Sequence, residues 1–501
     1  MNTIKHGSVL PLDASDLESK LVKHEGKLPK SCFPSWPFGY MFPELQNDQK
    51  LLEESPDTVK NLRWLGEEGM EDTYEAKAPS VPIPTIYTFF GQFVDHDITF
   101  ERGSSEISLK DPTPIDPADL PTLIVNSRSP NMDLDNVYGP NLTREFSPRD
   151  PNSPDKMLIF PVISPPQSRG LPPGKDIYND FPRDKDGIAR IGDPRDDENL
   201  VLAQLHVAFL RAHNALVDRG LRFDEARKLL IQHYQWIVLD DFLERIADPN
   251  VVKKVRYHGP RFFNPPPRAF FVPLEFSAGA YRFGHSKVRP AYADYNCIQQ
   301  EGGLELLFSN AGKPLVDDWV IDWTAFLDTE NRIHFPRPID TALTYNLLNL
   351  KPEQLGEGDS EPNLAVRNLL RGYILRIPTG QAVADAMASQ GILRMTSEQI
   401  LSIAKQFRED EETPSPQENI LSKTDFSNNT PLWFYILAEA AFYSRGYHLG
   451  PVGSTIVAEV LIGVLRNSSY SILADTHWRP TLGDTPGKFD IEDLLKLAGV
   501  F

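Results

Sequence analysis

Gly91-Gln92-Phe93-Val94-Asp95-His96-Asp97 packs an amide, an imidazole and two carboxylates into seven residues. As a helix, this stretch stacks Gln92 over His96, because residues four apart share a face. Asp95 and Asp97 then flank that face, each turned by about 100°. Histidine and aspartate are mediocre helix formers and neighbouring acids repel, so a purely structural helix has little use for such crowding. The run Ile86-Tyr87-Thr88-Phe89-Phe90 leads into the stretch and predicts burial. The reading is a functional turn behind an apolar helix; an exposed acidic helix end is the plainer alternative.

The rest of the chain sets bounds on that function. A length of 501 residues suggests about two to four domains, with one large domain as the alternative. Hydrophobic residues make up 40%, enough for a packed core. A net charge of −19 argues against phosphate backbones and anionic membrane surfaces as partners, and suits a protein that binds cations. Cys32 and Cys297 are the only cysteines, so no disulfide framework holds the chain. Residues 1–12 show no secretory signal, and no run approaches the roughly 18 apolar residues of a membrane span. A soluble cytoplasmic protein is expected, with unconventional export as the alternative. The Asn-x-Ser/Thr triplets at Asn141, Asn429 and Asn467 read as chance.

The 44 prolines cluster at 28–43, 79–84, 112–121, 149–173 and 260–273, where helix interiors and central strands are excluded. Between them, helical periodicity predicts helices at 197–221, 223–245 (with Asp224 as N-cap), 362–376, 397–407, 431–443 and 455–465. Strand signals are few and short. The expected fold is mainly α with long proline-rich loops. One domain over residues 81–501 is preceded by an N-terminal arm, residues 1–80, packed on it.

Four further groups of residues stand out. Ser129-Pro130-Asn131-Met132-Asp133-Leu134-Asp135 offers oxygen at every second position, as a hard cation requires. It lacks the glycine and glutamate of an EF-hand, and a solvated acidic loop fits equally well. Asp97 is a further carboxylate available to such a site. Gly192-Asp193-Pro194-Arg195-Asp196-Asp197-Glu198-Asn199 opens the 197–221 helix, and its acids suit a helix N-terminus. Arg195 does not, and makes better sense facing an anion in a pocket. His206 and His213, further along that helix, read as structural. In Tyr281-Arg282-Phe283-Gly284-His285, the glycine beside a histidine in a predicted helix suggests close approach of a flat group. Asn368 lies within the apolar helical stretch 364–372, where its amide needs a partner; a metal-bound His285 could supply one.

These five pieces, in this order, resemble the animal-type haem peroxidases, the superfamily of myeloperoxidase and lactoperoxidase, from about Pro82 to Leu465. The resemblance implies a mainly helical, single-domain fold with haem b between a distal and a proximal helix. It implies that His96 is the distal histidine, with Arg195 as its partner and Gln92 at the substrate position. His285 matches the proximal iron ligand and Asn368 its hydrogen-bond partner. Arg282 is assigned to the haem site with them. Asp97, Ser129, Asn131 (by its carbonyl), Asp133 and Asp135 match calcium ligands. Asp95 and Glu198 fall where mammalian members form ester bonds to haem. Asn199 stands where myeloperoxidase has the methionine of its sulfonium link, so that bond is not expected and efficient chloride oxidation is in doubt.

The implied activity is reduction of hydrogen peroxide, with oxidation of a halide, a pseudohalide or a small organic donor. Two alternatives stand beside it. A haem fatty-acid dioxygenase would carry a tyrosine three residues before the proximal histidine, where this chain has Arg282; Tyr281 is one residue off. A catalytically weak adhesion or sensing protein would have no need to keep Gln92, His96 and Arg195 together.

Overall fold

The computed structural model describes residues 10–11, 35–72, 80–103, 108–139, 142, 146–164, 166–169, 178–327, 336–351, 354–355, 361–408, 410 and 412–501. Most of the predicted arm's first 34 residues, Cys32 included, lie outside the described residues. Helix α1 (Pro56–Trp64) starts on Ser55, whose hydroxyl accepts from the Thr58 amide. Helix α2 (Ile86–Ile98) carries the Gly91–Asp97 stretch and is buried at all but two positions, Gly91 and Gln92. Its Phe93 stacks on Phe209 at 4.5 Å between centroids, and Phe90 meets Tyr234 and Phe242 edge-on. Such aromatic pairs fix the roll of a helix as well as its depth.

Helix α3 (Leu200–Asp218) starts three residues later than expected, on an Asn199 cap whose side-chain Oδ1 accepts from the Leu202 amide at 2.9 Å. Against the sequence expectation, α3 is long and apolar enough to cross a membrane, yet 78% of the qualifying stretch is buried inside the protein. A helix covered on all sides is apolar all round. Helix α4 (Phe223–Trp236) is preceded by Arg222, not Asp224, at the N-cap position, and the Glu225 carboxylate accepts from the Arg222 amide. It relaxes through a π-turn at Ile237–Phe242 into a last turn at Leu243–Ile246.

Helices α5 (Leu364–Ile374), α6 (Leu432–Ser444), α7 (Pro451–Asn467) and α8 (Ile491–Ala498) belong to the same body. Helix α8 lies along α3, α5 packs on α1 and on α6, and α6 packs on α7. The α1–α5 approach is close. A Cβ on Gly66, just past α1, would sit 2.7 Å from the Val366 backbone. The 455–465 helix extends back to Pro451, so Gly453 and Ser454 lie inside it. The proline-rich stretches hold short helical turns rather than pure loop, each admitting proline only in its first turn: Pro43–Leu45, Leu120–Leu123 and Pro267–Ala269.

One small mixed sheet joins the parts of the chain that meet at the site. Its strands β1 (Leu10–Pro11), β2 (Trp36–Gly39), β3 (Glu101–Gly103), β4 (Ile124–Asn126) and β5 (Val272–Pro273) run in the order β1-β3-β4-β2-β5. Strand β3 follows directly from α2, and β5 leads into the segment that carries His285. Phe38, Leu62, Phe90 and Leu494 all belong to one core.

Two buried histidines on this frame make stability depend on pH. Burial pushes His213 and His233 down from 6.5 to about 4. His233 Nδ1 donates to the Leu229 carbonyl at 2.7 Å, and its Nε2 accepts from the Thr481 amide at 2.9 Å. Between pH 6.5 and 4 the unfolded chain binds protons that the folded chain refuses, so stability falls as pH falls through that window. His233→Gln should flatten the fall by about 2 kcal/mol between pH 7 and 4.5, measured by urea denaturation. An unaltered pH slope would contradict a ring held neutral.

Candidate active site

A cavity partly open to solvent lies between α2 and the segment Tyr281–Val288. Thr88, Gly91, Gln92 and Asp95 line it from α2; Tyr281, Arg282, Gly284, His285 and Lys287 line it from the other segment. Glu198 and Asn199 close one edge, and Leu304, Phe308, Leu347, Leu350 and Leu364 make much of the remainder apolar. Five of the residues singled out in the sequence therefore share one cavity: Gln92, Asp95, Glu198, Arg282 and His285. Gln92 donates to Glu198 and accepts from Asn199 Nδ2 at 3.4 Å. Asp95 Oδ1 accepts from the Thr99 hydroxyl at 2.8 Å, one turn along the helix.

His285 does not sit on an α-helix, as its spacing suggests, but on the 3₁₀ stretch Ala280–Lys287 that follows a π-turn at Glu275–Gly279. Two contacts hold this irregular backbone. Glu275 accepts from the Met41 and Phe42 amides at 2.8 and 3.0 Å, and Trp433 on α6 donates to the Arg282 carbonyl at 3.1 Å. Asn368 on α5 places its amide 2.8 Å from His285 Nδ1. The nitrogen faces the ring; half a turn of the amide, whose two ends are nearly isosteric, presents the oxygen to an Nδ1–H instead. Burial, with the nearby Arg282 and Arg367, pushes His285 down to about 3, so the ring is neutral and able to ligate a metal. A Cβ on Gly284 would meet nothing within 4 Å, which leaves a bare backbone edge on the cavity. A neutral imidazole, a bare glycine and apolar walls suit a flat macrocycle bound through iron.

His96 and Arg195 are not in the cavity lining. His96 is fully buried, and its Nδ1 lies 2.7 Å from Asp196 Oδ1. The other oxygen of Asp196 pairs with His206 Nδ1 at 2.6 Å and accepts from Asn136 at 3.1 Å. Burial alone would raise the Asp196 carboxyl; the bonds from His206 and His96 outweigh it and hold it low. Arg195, expected to face an anion in the cavity, turns instead to Asp193 at 2.7 Å and to the carbonyls of Thr99 and His96. Arg128 grips the same Asp193 at 2.6 Å and the His96 carbonyl at 3.0 Å. These two guanidiniums outweigh burial and keep Asp193 well below the usual carboxylate range.

The acids at 196–198 are not the helix-dipole complements that their place before a helix suggests. Because α3 begins only at Leu200, they occupy a separate 3₁₀ turn, Pro194–Asp197, and its edge. Each has its own partner: Asp196 the two histidines, Asp197 Arg183 at 2.6 Å, Glu198 Gln92. Asp193, Asp196, Arg128 and Lys287 were all missed. The alternation of acid and arginine in 193–197 hinted at the first two; nothing in the local sequence marked Lys287.

The Ser129–Asp135 loop lies against α2. Asp97 Oδ1 accepts from the Asp135 amide at 2.6 Å, and the Ser129 hydroxyl donates to Asp135 at 2.9 Å. Asp97 Oδ2 and Asp133 Oδ1 are buried without a regular hydrogen bond, with the Tyr234 hydroxyl beside Asp97. Burial and the neighbouring Asp135 raise Asp97 to about 8 and raise Asp133 strongly. The Asn131 side-chain oxygen accepts from Asn467 Nδ2 at 2.8 Å. Among the described residues no three acid, histidine or cysteine side chains stand in finished metal-binding geometry. The donor set, hard oxygens in mutual repulsion, nevertheless suits a divalent cation.

Asp193→Asn tests how firmly this side of the cavity is held. Two buried guanidiniums would lose their shared counter-charge, and the variant should lose about 3–5 kcal/mol in denaturant unfolding. A loss under 1 kcal/mol would show that the pairing contributes little.

A family model, animal haem peroxidase, matches residues 113–316, a span that includes Arg195 and His285. A peroxidase-like protein of Margaritifera margaritifera is 28% identical over 258 residues, covering 40% of this chain and 31% of that protein. The chain thus matches under a third of that relative's length. The solved structure of peroxidase A from Dictyostelium discoideum superposes with a TM-score of 0.53 at 17% identity, covering 88% of both chains. The fatty acid alpha-dioxygenase of Oryza sativa reaches 0.55 at 13% identity, covering 99% of this chain and 84% of that one. Both share the fold. Residues 113–316 thus match the animal haem peroxidase family, which implies a haem cofactor, and the helical architecture is that of the solved peroxidase.

Proposed function

We propose that this protein is a haem-dependent peroxidase that reduces hydrogen peroxide and oxidises a halide, pseudohalide or small organic donor. The observation that carries the reading is His285, its Nδ1 2.8 Å from the Asn368 amide, lining the cavity opposite Gln92 and Asp95. Haem, when bound, supplies the iron that takes up peroxide and stores oxidising equivalents; the protein supplies position, polarity and protons.

His285 would hold the iron, with Asn368 turning its oxygen to Nδ1–H and so fixing Nε2 as the ligand. On the distal side, Asp196 accepts from His96 Nδ1–H, which leaves Nε2 as the basic nitrogen that takes up and returns the peroxide proton. Arg195 keeps this ring in place through the carbonyls of His96 and Thr99. Gln92, tethered to Glu198 and Asn199, offers a polar contact for the small substrate. Asp95 and Glu198 reach the cavity wall, where ester bonds to the haem would make it resist acid-acetone extraction.

Ca²⁺ would be held by Asp97, Asp133, Asp135, Ser129 and the Asn131 carbonyl. Its charge would offset three crowded carboxylates, one of which, Asp97, follows His96 in the chain.

A second reading draws on Tyr281, which lines the cavity with its buried hydroxyl lacking a hydrogen-bond partner among the described residues. A haem dioxygenase needs such a tyrosine, so linoleate with oxygen and no peroxide should give no oxygen uptake if the peroxidase reading holds.

His96→Ala should slow peroxide-driven donor oxidation about 10²- to 10⁴-fold at unchanged haem content, measured by rapid mixing. An undiminished rate would remove His96 from proton transfer. Chelation of calcium should lower the melting temperature and slow the peroxide reaction together; a protein indifferent to the chelator has no calcium at this loop.

A further inference from the structure

Lys287 is 1% exposed, lines the cavity, and has no hydrogen-bond partner for its Nζ among the described residues. Nothing in the proposed mechanism uses it. A buried ammonium without a counter-ion costs several kcal/mol, a cost that a binding site retains only if its ligand offsets it. The acids of the cavity wall are already engaged: Asp95 with Thr99, Glu198 with Gln92. The other cation of the lining, Arg282, donates its Nε to the Ser277 carbonyl at 2.8 Å.

We infer that Lys287 seats a carboxylate inside the cavity, that of a ligand whose remainder lies on the apolar wall of Leu304, Phe308, Leu347 and Leu350. An ammonium is a compact charge that pairs strongly with a carboxylate once water is excluded. The apolar wall selects the class of ligand. A halide or free phosphate gains nothing from four large apolar side chains, whereas an amphipathic acid buries its hydrocarbon there. Two sources share this chemistry: a haem propionate, and the carboxylate of an organic donor. The inference rests on the haem-peroxidase reading for the first source and stands without it for the second.

Lys287→Met keeps length and removes charge. Apo-protein is titrated with haem and with haem dimethyl ester, followed by absorbance. Apo- and haem-loaded protein are titrated with dodecanoate and with dodecanol, followed by calorimetry. If the source is the propionate, Lys287→Met binds haem about tenfold more weakly, and the variant no longer distinguishes haem from its diester. If the source is a donor, haem binding is unchanged and dodecanoate alone weakens about tenfold, with dodecanol unaffected. Lys287→Arg should restore most of the loss in either case. The ligand-free variant should melt no lower than the wild type, because a lysine kept for binding does not stabilise the empty fold. Unchanged affinity for both acids overturns the inference, as does an effect on bromide alone or a lower melting temperature without ligand. Absence of haem binding in the wild type would defeat the peroxidase reading and leave the dodecanoate arm to decide the seat.

Discussion

A single buried carboxylate, Asp193, holds the His96 side of this molecule together. Two guanidiniums converge on it, Arg195 from two residues along and Arg128 from the loop that continues into Ser129. Both then reach the C-terminal end of α2: Arg128 to the His96 carbonyl, Arg195 to those of His96 and Thr99. The last carbonyls of a helix have no partner within it, so cations placed there satisfy them and favour the dipole. One ion triad thus joins the α2 terminus, the acidic 129–135 loop and the turn before α3. His96 lies where these three elements meet, and its orientation depends on their staying joined.

The opposite side is built on a different principle. His285 rides a 3₁₀ stretch rather than a regular helix, so its backbone borrows stability from neighbours. Glu275 is tied to the segment after β2, the Arg282 carbonyl to Trp433, and the ring to Asn368. Regular packing holds α2 by its aromatic face; tertiary hydrogen bonds hold the His285 segment. Between them the cavity pairs one neutral imidazole with apolar walls and few charges, an environment that strengthens each polar contact it retains.

Much of this was legible in the chain. The Gly91–Asp97 spacing located a helix that lines the cavity, and periodicity placed α3 to α7 to within a few residues. Local pattern carried those readings because burial of one face repeats every turn. What escaped depended on contacts across the sequence. Arg195 was read as facing a ligand because its own turn gave no reason for a cation; Asp193 and the end of α2, about a hundred residues away, supplied the reason. Asp196 looked like a helix-end acid until the two histidines it bridges were brought together. The 3₁₀ path at His285 was illegible because periodicity does not register an irregular backbone stabilised from outside. Lys287 sits in a short polar run that reads as surface, and only the fold buries it.

Haem titration of the apo-protein tests the central claim most directly. The account predicts a Soret band that saturates at one haem per chain. It also predicts loss of that ligation in His285→Ala and its recovery when imidazole is added to the variant. A wild type with no saturable Soret band, or a His285→Ala variant with the same spectrum as the wild type, would contradict it.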